Sequence, residues 1–251
     1  MNQYQAELEV AISVTTAALG CLRGVMPQDL EAKFETSLPR ELKASTDKVL
    51  EDIILKKLIP TGFSILSEEI GVIDSSNDDK LHWIVDPLDG TVNFVRSLAS
   101  CSVSIALYNG NIPIFGVMGE FPSEKLAWGG SGIGAFYDGK PIKVSSISDR
   151  SKAIICSGFP SRFQFEKQGL EWVQKMLAPF SKVRMLGSAS ISLLQIARGN
   201  AEVYAENDIM IWDVAAGLAI LEGAGGAFTI KKGRALNALN VYAGNGLIVE
   251  H

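Results

Sequence analysis

The chain has 251 residues, of which 47% are hydrophobic and 20% charged, and its formal net charge is −5. These values are typical of a soluble globular protein with a full core, built as one large domain or two closely packed halves. No apolar run reaches the roughly 20 residues of a membrane span, and the N-terminal residues lack the features of a signal peptide. The acidic balance, without a long basic run, argues against a nucleic-acid-binding surface.

The cysteine and histidine counts narrow the class further. Cys21, Cys101 and Cys156 are odd in number and widely spaced, which predicts reduced thiols and a cytoplasmic protein. His82 and His251 are too few for a zinc cluster of the Cys/His type.

Two amphipathic helices are predicted near the N-terminus, over residues 4–25 and 48–58, because apolar side chains recur there at helical spacing. Residues 26–43 between them show no clear period and contain two prolines, so they are interpreted as partly loop. Thr46 or Asp47 is expected to cap the second helix.

The most informative stretch covers residues 83–94, Trp-Ile-Val-Asp-Pro-Leu-Asp-Gly-Thr-Val-Asn-Phe. The apolar run at residues 81–85 predicts a buried strand that delivers Asp86 at its end, and Pro87 is expected to stop that strand. Asp89 then lies on a turn, and Gly90 lets the backbone come close to a ligand. Two carboxylates that converge across a turn favour Mg²⁺ or Mn²⁺, although both aspartates could also serve only to form the turn.

Two further acidic segments favour the metal site over the simple turn. Glu68 and Glu69 follow another apolar run at residues 62–66, and Asp213 opens a helix of small residues at 214–221. Acids at the end of a strand, on a turn and at the start of a helix are placed to converge. We therefore expect the fold to assemble them into one site.

An antiparallel meander is predicted for residues 101–137, where apolar and small polar residues alternate. Asn109-Gly110 and Asp138-Gly139 are expected to form tight turns, the second before a strand at 142–144.

The polar stretch at residues 145–152 is the expected boundary between two subdomains. Residues 1–145 would form an α+β half with the antiparallel sheet, and 146–251 an α/β half that contributes Asp213 and substrate contacts. In the second half, strands are predicted at 153–157, 182–186, 201–205, 226–230 and 245–250, and helices at 163–179, 189–198 and 213–222.

Gly187-Ser188-Ala189 lies between a predicted strand and a predicted helix. Free backbone amides at such a helix start suit an anion or a hydroxyl-rich substrate. The alternative is that Ser188 only caps the helix.

The three acidic motifs, Glu-Glu, Asp-Pro-x-Asp-Gly-Thr-x-Asn-Phe and Trp-Asp-x-Ala-x-Gly, resemble those of the inositol monophosphatase family and occur in the same order. The resemblance extends over nearly the whole chain. It implies a layered αβαβα sandwich, of the type shared by inositol monophosphatases and fructose 1,6-bisphosphatases, and a homodimer.

The resemblance also implies a ligand set for Mg²⁺, with Mn²⁺ as a substitute. Glu68, Asp86 and the backbone carbonyl of Leu88 would hold a first ion. Asp86, Asp89 and Asp213 would share a second ion, and a third ion is left open.

Catalytic and substrate-binding roles follow from the same resemblance. Thr91, oriented by Asp47 and helped by Glu68, would position and deprotonate the attacking water. The amides of Gly90 and Thr91 would bind the phosphate. The substrate would be contacted by a further set of residues: Gly187, Ser188, Ala189 and Glu206.

Two points remain open within the resemblance. Glu206 could instead be a surface glutamate. The loop at 26–43 departs from many relatives, which carry a lysine where this chain has Glu35, Thr36 and Ser37 between Lys33 and Lys43.

The implied activity is Mg²⁺-dependent hydrolysis of a small phosphate monoester by in-line attack of water. Val92-Asn93-Phe94 after the Asp-Gly-Thr motif is similar to the inositol phosphatase pattern, so inositol 1-phosphate or a similar sugar or polyol phosphate is the expected substrate. A nucleotide 3′-phosphate, such as adenosine bisphosphate, or histidinol phosphate is the alternative. A binding role with the transcription machinery, as in some bacterial relatives, is the alternative of another class.

Overall fold

The computed structural model describes residues 3–25, 32–34, 42–75, 80–161, 163 and 165–248. In these ranges the chain forms six α-helices and fifteen β-strands. The helices are α1 (Gln5–Arg23), α2 (Ser45–Leu58), α3 (Thr91–Val95), α4 (Lys167–Leu177), α5 (Ala189–Ala197) and α6 (Ile211–Gly223). The strands are β1 (Ala32–Phe34), β2 (Leu42–Ala44), β3 (Ser64–Ser67), β4 (Gly71–Ile73), β5 (Leu81–Asp89), β6 (Cys101–Asn109), β7 (Ile112–Phe121), β8 (Lys125–Gly130), β9 (Gly134–Tyr137), β10 (Lys140–Pro141), β11 (Ile154–Cys156), β12 (Lys182–Arg184), β13 (Val203–Met210), β14 (Ala227–Lys232) and β15 (Ala238–Gly244).

The strands form two large sheets and one small one. The first large sheet has the order β10-β9-β8-β7-β6-β5-β3-β4 and is antiparallel except where β3 runs parallel to β5. The second has the order β12-β11-β13-β15-β14, with β11 parallel to both β12 and β13. β1 and β2 form a separate antiparallel pair, in which Lys33 lies opposite Lys43. Glu35, Thr36 and Ser37 of the predicted loop lie outside the described residues.

Helices and sheets stack in five layers. α1 and α2 pack on the outer face of the first sheet, where Leu22 and Leu50 share a buried core with Trp83 of β5. The neighbouring residue Ile84 points to the opposite face, because side chains alternate along a strand. There it joins the core that α5 and α6 form between the two sheets.

The second sheet is covered on its outer face by α4. Met176 and Leu177 of that helix pack against the buried residues Ile155, Val203 and Tyr242 of the second sheet. The order of layers is therefore α, β, α, β, α, which confirms the predicted layered sandwich. The strands of the first sheet come from residues 64–141 and those of the second from 154–244, while the boundary at 145 stays a prediction.

The predicted end of β5 at Pro87 is wrong. The strand continues to Asp89, and its pairing with β6 shifts register between Asp86, opposite Ser104, and Asp89, opposite Ser102. Three residue steps on β5 therefore match two on β6, which is a β-bulge. A bulge leaves a residue outside the ladder, so the missing N–H of Pro87 is tolerated there.

The expected cap of α2 is also wrong. The helix begins at Ser45, so Thr46 and Asp47 lie in its first turn, and both side chains are buried. An acidic residue in a first turn interacts favourably with the N-terminal end of the helix dipole, which is consistent with this placement of Asp47.

Other element boundaries also differ from the prediction, among them that of the strand predicted at 201–205, which is observed as β13 at Val203–Met210. The tight turn at 138–139 leads into β10 rather than into a strand at 142–144, and α4 is shorter than the predicted 163–179. The last predicted strand, at 245–250, is wrong over its described part because Asn245 ends β15. Its side-chain oxygen accepts hydrogen bonds from the amides of Leu247 and Ile248 (3.1 and 3.3 Å), which forms a turn.

Among the described residues, no helix combines the length and the apolar character that crossing a membrane requires.

α6 lies directly on the first sheet, and a glycine makes this contact close. A Cβ atom at Gly116 of β7 would lie 2.3 Å from the backbone oxygen of Ala216 in α6. Because that obstacle is backbone, the helix itself would have to move. The short distance between α6 and β7 therefore depends on glycine at position 116.

We expect Gly116→Ala to lower the free energy of unfolding by about 1–3 kcal/mol, the usual cost of overpacking a core. Gly20→Ala is the control, since a Cβ at Gly20 in α1 would meet nothing within 4 Å and alanine favours a helix. Urea unfolding measures both. Equal stability changes in the two variants would contradict the close packing of α6 on β7.

Candidate metal centre

Three aspartates from distant parts of the chain meet at one point. Asp86 and Asp89 lie on either side of the β5 bulge, and Asp213 lies in the first turn of α6. Each offers a carboxylate oxygen, and these oxygens all lie within 4.8 Å of one another. Ligands predicted from two separate motifs are thus brought together.

Glu68 joins this group because β3 runs parallel to β5. Ser67 pairs with Val85, and the amide of Glu68 donates to the Val85 carbonyl (3.2 Å), which places Glu68 beside Asp86. The end of β3 therefore delivers Glu68 beside the first of the two acids on β5. Of the two adjacent glutamates, Glu68 lines the cavity described below.

The bulge is held by short local hydrogen bonds. The Leu88 amide donates to Asp86 Oδ1 (2.9 Å), and the Thr91 hydroxyl donates to the Leu88 carbonyl (3.0 Å). Gly90 then has a φ of +88°, and a Cβ there would lie 2.9 Å from the Ser100 carbonyl. The turn into α3 therefore requires glycine for both its conformation and its space.

Asp89 and Asp213 are fixed by different partners. Asp213 Oδ2 accepts the Met210 amide (3.2 Å) at the N-terminus of α6. Asp89 Oδ2 accepts the hydroxyl of Ser188 (2.5 Å), the amide of Ser190 (2.8 Å) and the hydroxyl of Ser190. The start of α5 is therefore bonded to a carboxylate that belongs to the first sheet.

Burial and like charge act together on these acids. Burial first, and then the charges of Glu68, Asp89 and Asp213, raise the pKa of Asp86 well above its ordinary value. The pKa of Asp213 is raised in the same way, by burial and then chiefly by Asp89 and Glu68. Burial also raises the pKa of Asp89, although its hydroxyl and amide donors oppose this. A cluster of carboxyl groups with raised pKa values is stable in its ionised form only if a cation neutralises its negative charge.

The acids face a cavity of about 460 Å³ between the two sheets. Six carboxyl groups line it, and among the described residues that line it there is no lysine, arginine or histidine. The six are Glu68, Asp86, Asp89, Glu206, Asp208 and Asp213. This donor set consists of hard oxygen ligands, which suits Mg²⁺, Mn²⁺ or Ca²⁺.

Glu206 forms the far wall of the cavity and is buried, so the alternative of a surface glutamate is wrong. Its Oε2 accepts the Tyr204 hydroxyl (3.0 Å), and a Cβ at Gly158 would lie 2.6 Å from the same oxygen. Burial raises the pKa of Glu206 to about 8, an effect that the Tyr204 hydroxyl opposes and the charge of Asp89 increases.

A second bulge shapes this wall. The pairing of β13 with β15 shifts register between Glu206 and Ile209, and Asp208 within it has a φ of +58°. Arg234 holds Asp208 by its amide (2.6 Å) and its Nε (2.7 Å). The bulge thereby keeps both acids at the cavity.

The structure places nearly every predicted site residue at this cavity. Besides the acids, those that line it are Leu88, Gly90, Thr91, Gly187, Ser188 and Ala189. Asp47 is buried in α2 and is not one of the described lining residues. Ser188 does cap α5, since its hydroxyl oxygen accepts the Ile191 amide (3.2 Å). The amide of Ser190 at this helix start is occupied by Asp89 rather than free.

Sequence reasoning missed the structural role of Asn93 and the contact made by Ser190. Asn93 Nδ2 donates to the carbonyls of Ser100 (2.7 Å) and Leu186 (2.8 Å), and so joins α3 to the segment before α5. The only sequence signal for Ser190 is the alternation of serine with apolar residues at the start of α5. That pattern does not reveal a partner 101 residues earlier in the chain.

Comparison with known proteins agrees with this geometry. The family model described as "Inositol monophosphatase family" matches residues 3–251. A protein of Aquifex aeolicus named fructose-1,6-bisphosphatase/inositol-1-monophosphatase is 31% identical over 250 residues, covering 98% of this chain and 93% of its own.

Two solved structures extend the comparison. The extragenic suppressor protein suhB of Bartonella henselae superposes with a TM-score of 0.85 at 28% identity, over 96% of this chain and 94% of its own. A structure described as 2′AMP-bound SaIMPase-II has a TM-score of 0.79 at 25% identity, over 97% and 90%. The sequence match and the acidic centre lead to the same conclusion: the chain belongs to the inositol monophosphatase family of phosphatases.

Proposed function

We propose that the protein is a Mg²⁺-dependent phosphomonoesterase that hydrolyses inositol 1-phosphate or a similar small sugar or polyol phosphate. The observation that carries the proposal is the cavity lined by six carboxyl groups, with no cationic side chain among its described lining residues. A phosphate dianion would be repelled by such walls unless metal ions bind first. The same metal ions would therefore neutralise the carboxylates of the cavity and the phosphate of the substrate.

The proposed ligands would serve two ions. Glu68, Asp86 and the Leu88 carbonyl would hold one, and Asp86, Asp89 and Asp213 the other. When bound, the ions lower the pKa of a water ligand and neutralise phosphate oxygens.

Thr91 has the geometry to orient the attacking water. Its hydroxyl hydrogen is directed to the Leu88 carbonyl, which leaves the oxygen lone pairs to accept a hydrogen bond from water. Glu68, directly after the neighbouring strand β3, supplies a carboxylate that can take the proton. Asp47 remains the proposed support for Thr91 from α2.

Glu206 is suited to hold a polyol. With a pKa of about 8 it is protonated at neutral pH, so it can donate to a substrate hydroxyl as well as accept from one. The segment Gly187–Ala189 lines the cavity too and would contact the same ring. The name of the Aquifex relative, which covers both a sugar bisphosphate and inositol phosphate, supports this substrate class.

A second candidate, a nucleoside phosphate, is favoured by the aromatic residue Phe159 at the cavity. Phe159 lines the cavity, and its ring packs against those of Phe163 (4.7 Å between centroids) and Phe165 (5.0 Å). A supported aromatic face can stack on a nucleobase. One neighbour in structure is described as bound to 2′AMP.

The proposed function is tested by phosphate release with Mg²⁺ from inositol 1-phosphate, fructose 1,6-bisphosphate, adenosine 3′,5′-bisphosphate, histidinol phosphate and NADP. We expect inositol 1-phosphate to be preferred and EDTA to stop the reaction.

Asp213→Asn should lower kcat more than ~100-fold with the fold intact. Removing the hydrogen-bond partner of a metal ligand typically costs about 10–100-fold in activity, and removing the ligand itself should cost more. Exposed Asp52→Asn is the control. Wild-type turnover by Asp213→Asn would refute the metal assignment.

The buried carboxyl of Glu206 predicts a pH dependence of stability in EDTA. Its folded pKa is raised above the unfolded value, so its stabilising contribution is complete below about pH 4.5 and is lost as the pH rises through about 8. Glu206→Gln should therefore lose less unfolding free energy than the wild type between pH 5 and pH 8. Urea unfolding at both pH values measures this, with exposed Glu171→Gln as control. Parallel curves for wild type and Glu206→Gln would contradict the raised pKa.

If the nucleoside phosphate is the substrate, Phe159→Ala should lower kcat/KM for adenosine 3′,5′-bisphosphate by about 5-fold or more, since stacking on a base contributes roughly 1–3 kcal/mol. Inositol 1-phosphate should be little affected. Phe165→Ala is the matched control, because it touches Phe159 without lining the cavity. An unchanged ratio of the two substrates in Phe159→Ala would exclude stacking on this ring.

A further inference from the structure

Asp89 differs from the other two clustered aspartates in what holds it. Asp86 and Asp213 each accept a backbone amide from their own segment, Leu88 and Met210. Asp89 instead accepts three hydrogen bonds on Oδ2, and a backbone hydrogen bond from Ala189 also opposes the rise in its pKa that burial causes; all of these donors lie at the start of α5, about a hundred residues away. Its position therefore depends on contact between the first sheet and the middle helices.

Two of these three donors belong to Ser190. Its amide and its hydroxyl both reach Asp89 Oδ2, and its side chain is fully buried. With three donors on Oδ2, that oxygen has no room for another partner. Oδ1 is the atom left for a ligand, because the carboxylate is planar and cannot turn without breaking the Ser190 contacts.

A third serine extends the arrangement and fixes its direction. Ser102 of β6, which lies opposite Asp89 in the ladder, has its hydroxyl 2.7 Å from that of Ser190. An ionised Asp89 can only accept, so Ser190 must donate to it. The Ser102 hydroxyl then donates to Ser190. The hydroxyl hydrogen of Ser190 is thereby committed to Asp89.

We propose that Ser190 is a positioning residue that fixes Asp89 with its Oδ1 directed toward Asp86 and Asp213, and that Ser102 in turn orients Ser190. This inference rests on the proposed function, since it assumes that Asp89 binds a metal ion. It concerns only the ion that Asp89 would share with Asp213. Hydrogen-bond partners of metal ligands typically contribute 10–100-fold to metal affinity.

The test is Mn²⁺ titration by calorimetry of the wild type and of Ser190→Ala, Ser102→Ala and Ser104→Ala. Ser104 is the matched control: it is buried on the same strand, and its hydroxyl contacts the Trp212 carbonyl (3.5 Å) rather than Asp89. We expect two ions in the wild type and a ~10-fold weaker affinity for one of them in Ser190→Ala. Ser102→Ala should show a smaller loss at the same ion, and Ser104→Ala none.

Turnover gives a second readout, which a purely structural role would not change in the same way. Ser190→Ala should need about 10-fold more Mg²⁺ for half-maximal rate and regain the wild-type kcat at saturating Mg²⁺. A kcat that stays low at saturating Mg²⁺, with unchanged Mn²⁺ affinity, would overturn the proposal.

The outcomes distinguish a failure of the proposed function from a failure of the role proposed for Ser190. A wild type that binds no Mn²⁺ refutes the proposed function itself. A wild type that binds two ions while Ser190→Ala binds them equally well refutes only the role of Ser190. If Ser190→Ala does not fold, Ser102→Ala decides, and an affinity equal to that of Ser104→Ala overturns the proposal.

Discussion

The structure depends on holding several like charges together where two of them, Asp86 and Asp89, are buried and the other two, Glu68 and Asp213, are half-buried. Asp86, Asp89 and Asp213 converge with Glu68 at the inner end of the cavity, and burial and mutual repulsion act on them in the same direction. No single element could impose that arrangement. Each acid is delivered by a different device: a parallel strand end, the two sides of a bulge, and a helix start. The rigid layers on both sides provide the support for this unfavourable cluster.

The middle helices connect the two sheets as well as separating them. α6 presents Asp213 to the acids of the first sheet, and α5 presents its first serines to Asp89. The site is therefore assembled where α5 and α6 meet the first sheet. Its geometry is sensitive to how α5 and α6 pack on the first sheet, where Gly116 permits close approach.

Local patterns in the sequence predicted the elements well and the boundaries less well. The helices, the meander and the acidic motifs have strong periodic or compositional signals. The end of β5 was wrong because Pro87 stops a regular strand but is compatible with a bulge, and only the partner strand shows which occurs. The last strand was predicted at 245–250 instead of 238–244, because Asn245 ends β15 through side-chain hydrogen bonds that a hydrophobicity pattern does not contain. The metal ligands were found through motifs, whereas Ser190 depends on a contact between distant segments.

The bulge in β5 has a consequence for how carboxylates can be paired on a sheet. In a regular strand, residues three apart point to opposite faces, so Asp86 and Asp89 could not share a ligand. The extra residue of the bulge brings Asp86 and Asp89 to the same face of the sheet. Their partners on β6, Ser104 and Ser102, are two residues apart and face the same side. The second sheet repeats the bulge geometry at Glu206, where three steps on β13 again match two on β15, although the residue three steps on, Ile209, is not an acid. An odd spacing of acids in a strand can therefore mark a shared site, provided that a proline or a left-handed residue between them absorbs one step.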